Sequence, residues 1–274
     1  MQTLSEIRAL LDSRALRPKH RLGQNFLHDH NQLKKLIDAA CVKPGDVVLE
    51  VGPGTGTLTE TLLEAGAEVI ACELDADMAE IIRERLGANT HVVLIEGDCL
   101  EDERRLNAEI VKAIDGRTFK LVANLPYQAA SPLMATLLMN HANCAGQWVT
   151  IQKEVADRIA AKPGSKDFGT MTVLMQTMGE VELIATVKPA SFWPIPKVTS
   201  AMVRIAPKKH GVADPERFAR FVTGIFSKRR KQIGTILGAD AVRSAGIESK
   251  LRPEVLESDQ FVVLWNTVNS NVRN

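Results

Sequence analysis

Val47-Val48-Leu49-Glu50-Val51-Gly52-Pro53-Gly54-Thr55-Gly56 reads as a short apolar run that meets a glycine-rich turn. Aliphatic residues on both sides of a single glutamate mark a strand covered on both faces, as in a parallel sheet. The glycines let the chain turn sharply into a helix and let its backbone approach a ligand closely. Such a turn serves dinucleotide binders and methyltransferases alike. Its spacing is GxGxG followed by Thr57, so the full GxGxxG dinucleotide fingerprint is absent, which leans toward a ligand without a pyrophosphate.

Outward from this turn, short β-rich runs alternate with helical stretches between Val47 and about Ile205. The expected strands are Val47–Val51, Glu68–Cys72, His91–Ile95, Lys120–Ala123, Trp148–Ile151, Val181–Val187 and Ala201–Ile205. Helical patterns at Leu58–Glu64, Ala76–Leu86 and Pro132–Met139 fall between several of them. This alternation predicts an α/β fold, a doubly wound and mostly parallel sheet. Only the proline-rich loop FWPIP separates the last two strands, so they are expected to pair antiparallel. A break follows at Ala206–Gly211, and Asp214-Pro215-Glu216 then looks like an N-cap with proline at the first helical position. Ser258-Asp259 is a second candidate cap. Residues 1–206 are read as one domain with a basic N-terminal arm, and 207–274 as a small all-helical domain.

The 274 residues are 45% hydrophobic and 24% charged, an ordinary balance for a soluble globular chain. No apolar run approaches the length of about 18 residues that spans a membrane, and Glu6, Arg8 and Asp12 interrupt any leader-like stretch. Cys41, Cys72, Cys99 and Cys144 show no CxxC spacing and read as buried free thiols of a reducing, cytoplasmic compartment rather than zinc ligands. No metal is expected, and nothing demands more than a monomer. The net charge of +1 is uninformative, but its distribution is not. Arg14, Arg17, Lys19, His20 and Arg21 form one basic cluster and Lys228, Arg229, Arg230 and Lys231 another, while Glu101, Asp102 and Glu103 are acidic. Each cluster taken alone suits a solvated helix face.

Two acids follow successive strands. Glu73, after the second, can accept hydrogen bonds from both ribose hydroxyls, a role it would equally play for NAD. Asp98, after the third, can accept from the amine of a cofactor adenine. A lone acid at either place would be an exposed turn residue or helix cap; two, downstream of a glycine turn, favour a ligand. The fourth strand ends in Asn124-Leu125-Pro126-Tyr127, where a doubly wound sheet opens its ligand crevice. An adenine N6 amine is a poor nucleophile because its lone pair is delocalised into the ring. The Asn124 side-chain oxygen and the Leu125 carbonyl can accept its two hydrogens and favour a pyramidal nitrogen. Pro126 fixes the chain direction, and Tyr127, the only tyrosine, can stack on the base. A turn that happens to hold Asn, Pro and Tyr is the plainer alternative.

Taken together, these motifs resemble the KsgA family of 16S ribosomal RNA adenine dimethyltransferases over nearly the whole chain. The resemblance is carried by KHRLGQNFL at 19–27, EVGPGTGTLT at 50–59, NLPY at 124–127, QKEVADRIAAKPGSKDFGTMTV at 152–173, FWPIPKVTSAMVRI at 192–205 and FSKRRKQ at 226–232. It implies a Rossmann-like class I methyltransferase fold that binds S-adenosylmethionine through Asn25, Leu27, Gly52, Glu73, Asp98 and Asn124. It implies that residues 124–127 hold the target adenine, with Phe192 stacking from the opposite side. It implies two adjacent adenines in the 3′-terminal hairpin of 16S rRNA as the target, each dimethylated late in small-subunit assembly, and Arg229, Arg230 and Lys231 touching that RNA. The chain departs from the family pattern at Trp193, Phe168, Gln128-Ala129-Ala130 and Gly234-Thr235, positions that bear on RNA docking more than on the chemistry. Rival readings are a large-subunit adenine methyltransferase of the same fold and an assembly factor that acts mainly by binding. A DNA adenine methyltransferase lacks support, because no recognition domain for flipping a base from a duplex is evident.

Overall fold

A computed structural model describes residues 1–102 and 104–272; Glu103 of the acidic run lies outside the described residues. The central sheet has seven strands: β1 (Val47–Val51), β2 (Glu68–Glu73), β3 (Val92–Glu96), β4 (Phe119–Asn124), β5 (Cys144–Gln152), β6 (Gly179–Val187) and β7 (Ser200–Pro207). Their order is β3-β2-β1-β4-β5-β7-β6. The glycine-turn strand lies inside this sheet, third in the order: all five residues of β1 are buried, and β1 pairs in parallel with β2 and β4. The first five strands are parallel, and β7 lies antiparallel to β5 with Met202 opposite Thr150. The chain order reverses between β1 and β4, so the carboxyl ends of these strands open the crevice in which such sheets bind ligands.

Helices α1 (Leu4–Asp12), α2 (His30–Ala40), α3 (Thr57–Glu64), α4 (Ala76–Leu86), α5 (Ala108–Ile114) and α6 (Tyr127–Asn140) follow in chain order. Helix α6 starts at Tyr127, ahead of the Pro132 expected from its pattern. Pro132 lies inside the helix, where its missing N–H leaves the Gln128 carbonyl without its intrahelical donor, so it does not mark the first residue. Helix α1, unforeseen in the basic arm, begins with a Thr3/Glu6 capping box. It buries Ile7 and Leu11 with Phe26, Met78 and Ile81. Much of the arm's charge is internally paired: Arg14 with Glu84, Arg17 with Asp12, and Lys19 with Asp75 and Asp77. The first compact unit comprises residues 1–137, 141–156 and 182–206.

The second unit is discontinuous in sequence. Residues 138–140 and 157–181 cluster with 207–272, so a division at 206 alone misplaces α8 (Thr170–Met178), which follows α7 (Lys153–Ile159). The C-terminal helices are α9 (Pro215–Phe226), α10 (Ile233–Leu237), α11 (Ala239–Ser244) and α12 (Ser258–Val272). Hydrophobic burial joins the two stretches: Phe168, Val173 and Met178 share a core with Phe218 of α9 and with Phe261 and Leu264 of α12. Asp214 caps α9 by accepting from the Arg217 amide at 2.9 Å, with Pro215 as its first residue. Ser258 is the first residue of α12 itself. Cys72, Cys99 and Cys144 are buried thiols, whereas Cys41 is exposed just past the end of α2. Among the described residues no helix is long and apolar enough to cross a membrane.

Candidate active site

The glycine turn exists because other parts of the site close onto it. Gly52 and Gly54 adopt φ of 74° and 58°, which L side chains rarely take. A Cβ at Gly52 would lie 2.9 Å from Cγ of Pro126, and one at Gly54 would lie 2.8 Å from Cε1 of Phe26. The turn is thus pressed between the strand-β4 tetrapeptide and the N-terminal arm, and only glycine fits at either point.

These segments enclose a cavity of about 410 Å³ in the first unit, within the range of roughly 300–1,000 Å³ usual for small-molecule sites. Asn25, Leu27, Gly52, Glu73, Asp98 and Asn124 all line it, so the structure gathers the whole expected cofactor set into one place. Glu73, at the end of β2, is only 7% exposed. Its carboxylate accepts from the Gly54 amide at 3.1 Å and the Asp75 amide at 2.9 Å. Burial raises its pKa above the ordinary carboxylate value, against the lowering effect of those amides. Leu74 beside it is an exposed apolar side chain on the cavity wall, suited to the face of a base. Asp98 is exposed and accepts from the Leu100 amide at 3.0 Å.

Asn124 is the residue whose geometry says most. Its amide nitrogen donates to the Asn25 backbone carbonyl at 3.0 Å, which turns its oxygen into the free acceptor. The Leu125 amide donates to the Thr150 carbonyl at 3.1 Å, which ties the tetrapeptide to β5. Tyr127 begins α6, half-buried, with its hydroxyl 3.2 Å from Oγ of Ser200. Tyr127 is not among the cavity-lining residues, whereas Pro126, Gln128, Ala129 and Pro132 are. Gln128 and Ala129 are not read as lining residues from the sequence, because the helical pattern there becomes visible only from Pro132 onward.

Two further expectations need correction. Phe192 is 1% exposed and sits in the hydrophobic core with Leu33 and Met202, so it presents no face to the cavity. It pairs instead with Leu27 in a two-residue ladder that also matches Phe26 with Trp193. Arg229 is tied up within the second unit: it donates to Glu254 at 2.7 Å and to the carbonyls of Lys166 and Ser165 at 2.8 and 3.0 Å. Arg230 and Lys231 are exposed, in a turn rather than on a helix face.

Glu50, read from the sequence only as part of a strand, also lines the cavity and is 1% exposed. Burial pushes its pKa up to about 8, opposed by the Thr59 hydroxyl that donates to it at 2.7 Å and reinforced by the nearby Glu73. A folded-state pKa above the unfolded 4.5 means a stabilising contribution present below pH 4.5 and lost as pH rises toward 8. Glu50→Gln, a permanent stand-in for the neutral acid, is expected to flatten the fall in thermal midpoint across that window. An unchanged pH profile would show that Glu50 is charged throughout.

The family model for ribosomal RNA adenine dimethylase matches residues 15–266. The chain belongs to this family. Ribosomal RNA small subunit methyltransferase A of Pseudomonas savastanoi pv. phaseolicola is 38% identical over 264 residues, covering 93% of this chain and 96% of that one. The protein of the same name from Magnetococcus marinus is also 38% identical, covering 97% and 98%. A dimethyladenosine transferase from Plasmodium falciparum has the same fold, with a TM-score of 0.77 at 23% identity over 90% of this chain and 98% of that one. As a ribosomal RNA adenine dimethyltransferase the chain uses S-adenosylmethionine, and the cavity fits that group. The glycine turn admits close backbone approach, Glu73 offers buried acceptor oxygens for hydroxyls, and Leu74 offers an apolar wall.

Proposed function

We propose that this chain dimethylates the N6 amines of two adjacent adenines in the 3′-terminal hairpin loop of 16S rRNA, within the small ribosomal subunit. The names of the relatives support the small-subunit target. The observation that carries the chemistry is the Asn124–Asn25 hydrogen bond, which leaves the Asn124 oxygen as an acceptor on the cavity wall. When bound, S-adenosylmethionine supplies an electrophilic methyl group. Asn124 Oδ1 and the Leu125 carbonyl accept the hydrogens of the N6 amine, localise its lone pair and hold it for attack. Pro126, lodged against Gly52, fixes this tetrapeptide to the cofactor turn. Tyr127, anchored through Ser200, supports the base, while Phe192 acts beneath the surface by holding Leu27 in place. Glu73 and Asp98 hold the nucleoside part of the cofactor, with Asn25, Leu27 and Gly52 completing its walls. The enzyme works as a cytoplasmic monomer without a metal.

Arg230 and Lys231 bind rRNA phosphates, with Arg229 shaping the turn that carries them. Replacing Arg230 and Lys231 with alanine should flatten the salt dependence of RNA binding by roughly 0.7–0.9 log units for each phosphate no longer neutralised. Filter binding over a salt series reads this directly, and an unchanged slope would remove both residues from the interface. The proposed target is tested by offering DNA, naked rRNA and undermethylated small subunits as methyl acceptors. Preferred transfer to the subunits or their RNA supports it; preferred transfer to large-subunit RNA contradicts it.

A further inference from the structure

Asp75 does not line the cavity, yet it is only 3% exposed and its groups meet several partners at once. One oxygen accepts from Nζ of Lys19 at 2.6 Å and from the Asp77 amide at 3.2 Å, capping α4. The other accepts from Nε2 of Gln24 at 2.6 Å, and the Asp75 amide itself donates to Glu73 at 2.9 Å. Lys19 also reaches Asp77 at 2.7 Å, and its backbone amide donates to Oε1 of Gln24 at 2.7 Å. The segment from Lys19 to Gln24 is thereby closed into a ring of bonds centred on one carboxylate.

The residue after Gln24 is Asn25, whose carbonyl receives the Asn124 amide nitrogen. Asn25 is held in turn by its side chain, which donates to the Gly23 carbonyl at 3.1 Å. A free asparagine amide can present either its nitrogen or its oxygen to a ligand, and only the oxygen can accept hydrogens from an amine. The Asn25 carbonyl makes that choice, and its position depends on where the ring leaves the chain. We propose that Asp75 is a positioning residue for methyl transfer: by gripping Lys19 and Gln24 it fixes the Asn25 carbonyl, which keeps the Asn124 oxygen aimed at the reacting amine. Burial alone would raise the Asp75 pKa, but Lys19 and Gln24 outweigh it and keep the group below the usual carboxylate value. This inference rests on the reading of Asn124 as the acceptor for the N6 amine.

Asp75→Asn separates this role from the other two. Asparagine is as good an N-cap as aspartate, and the backbone amide still supports Glu73, so fold and cofactor site are retained. The variant offers Lys19 no charge and presents a mixed amide to Gln24. Single-turnover transfer should fall about tenfold, since small misplacements of reacting groups are costly. Its S-adenosylmethionine affinity, read by calorimetry, should stay within a few-fold of the parent's, and its thermal midpoint should drop by only about 2–4 °C, since Lys19 keeps Asp77. In an Asn124→Ala background the same change should cost less than about twofold, because the group it positions is gone. An equal loss in both backgrounds, or a loss confined to cofactor affinity, would overturn the proposal while leaving Asn124 in its role. Normal transfer by Asn124→Ala alone would overturn both readings together.

Discussion

Asn124→Ala is expected to slow methyl transfer about a hundredfold while the protein folds and binds its cofactor nearly as before. Removing one positioned hydrogen-bond partner from a reacting centre costs about 3 kcal/mol, and about 1.4 kcal/mol is a factor of ten. The side chain is half-buried at the end of β4, and the substitution removes its bond to the Asn25 carbonyl at 3.0 Å. Asn25 is half-buried and lines the cavity, where water can take the place of that bond, so the folding cost is modest. A rate measured under single turnover, with a thermal melt as control, tests this. Asn124→Asp makes a finer comparison, because it keeps an acceptor but cannot donate to Asn25. Its rate should also fall, since the carboxylate and the Asn25 carbonyl oxygen would then repel.

Glu73→Ala is expected to act on the cofactor instead, weakening S-adenosylmethionine binding roughly a hundredfold or more. Hydrogen bonds to a charged group contribute about 1.5–3 kcal/mol each, and in the proposed role this carboxylate takes both ribose hydroxyls. Its loss also frees the amides of Gly54 and Asp75, which it now accepts from, and so loosens the glycine turn. Calorimetric titration of the cofactor is the direct readout. Affinity within a few-fold of the parent would mean that the ribose lies elsewhere in the cavity. The raised pKa of Glu73 adds a sign: acidification should weaken cofactor binding at a higher pH than an ordinary carboxylate would allow.

The parts of this fold that are legible in the sequence are those with strong local signals. The β1 run and its glycines can be read because a strand covered on both faces is mostly apolar and a turn of positive φ favours glycine. β2 and β4 follow from the same logic, and with them Glu73 and Asn124, whereas the edge strand β3, with only Ile95 buried, is read from its β-branched run, which leads to Asp98. What stays hidden depends on distant partners. Phe192 is given a stacking role only by the family resemblance, whereas its burial and its pairing with Leu27 make it core. Arg229 looks like its two basic neighbours, but Glu254 and the carbonyls of residues 165 and 166 occupy it. Residues 157–181 lie among the strands in sequence, yet their apolar side chains are buried with the C-terminal helices. Asp75 resembles an ordinary helix cap until Lys19 and Gln24 close on it from 56 and 51 positions away.

Whether this chain dimethylates the small-subunit hairpin is read by nucleoside mass spectrometry of 16S rRNA from undermethylated small subunits incubated with the purified protein and S-adenosylmethionine. N6,N6-dimethyladenosine is expected at two adjacent adenines of the 3′-terminal hairpin, absent when Asn124→Ala replaces the parent over the same short time. No dimethyladenosine in that hairpin, from a protein that binds the cofactor, would contradict that activity.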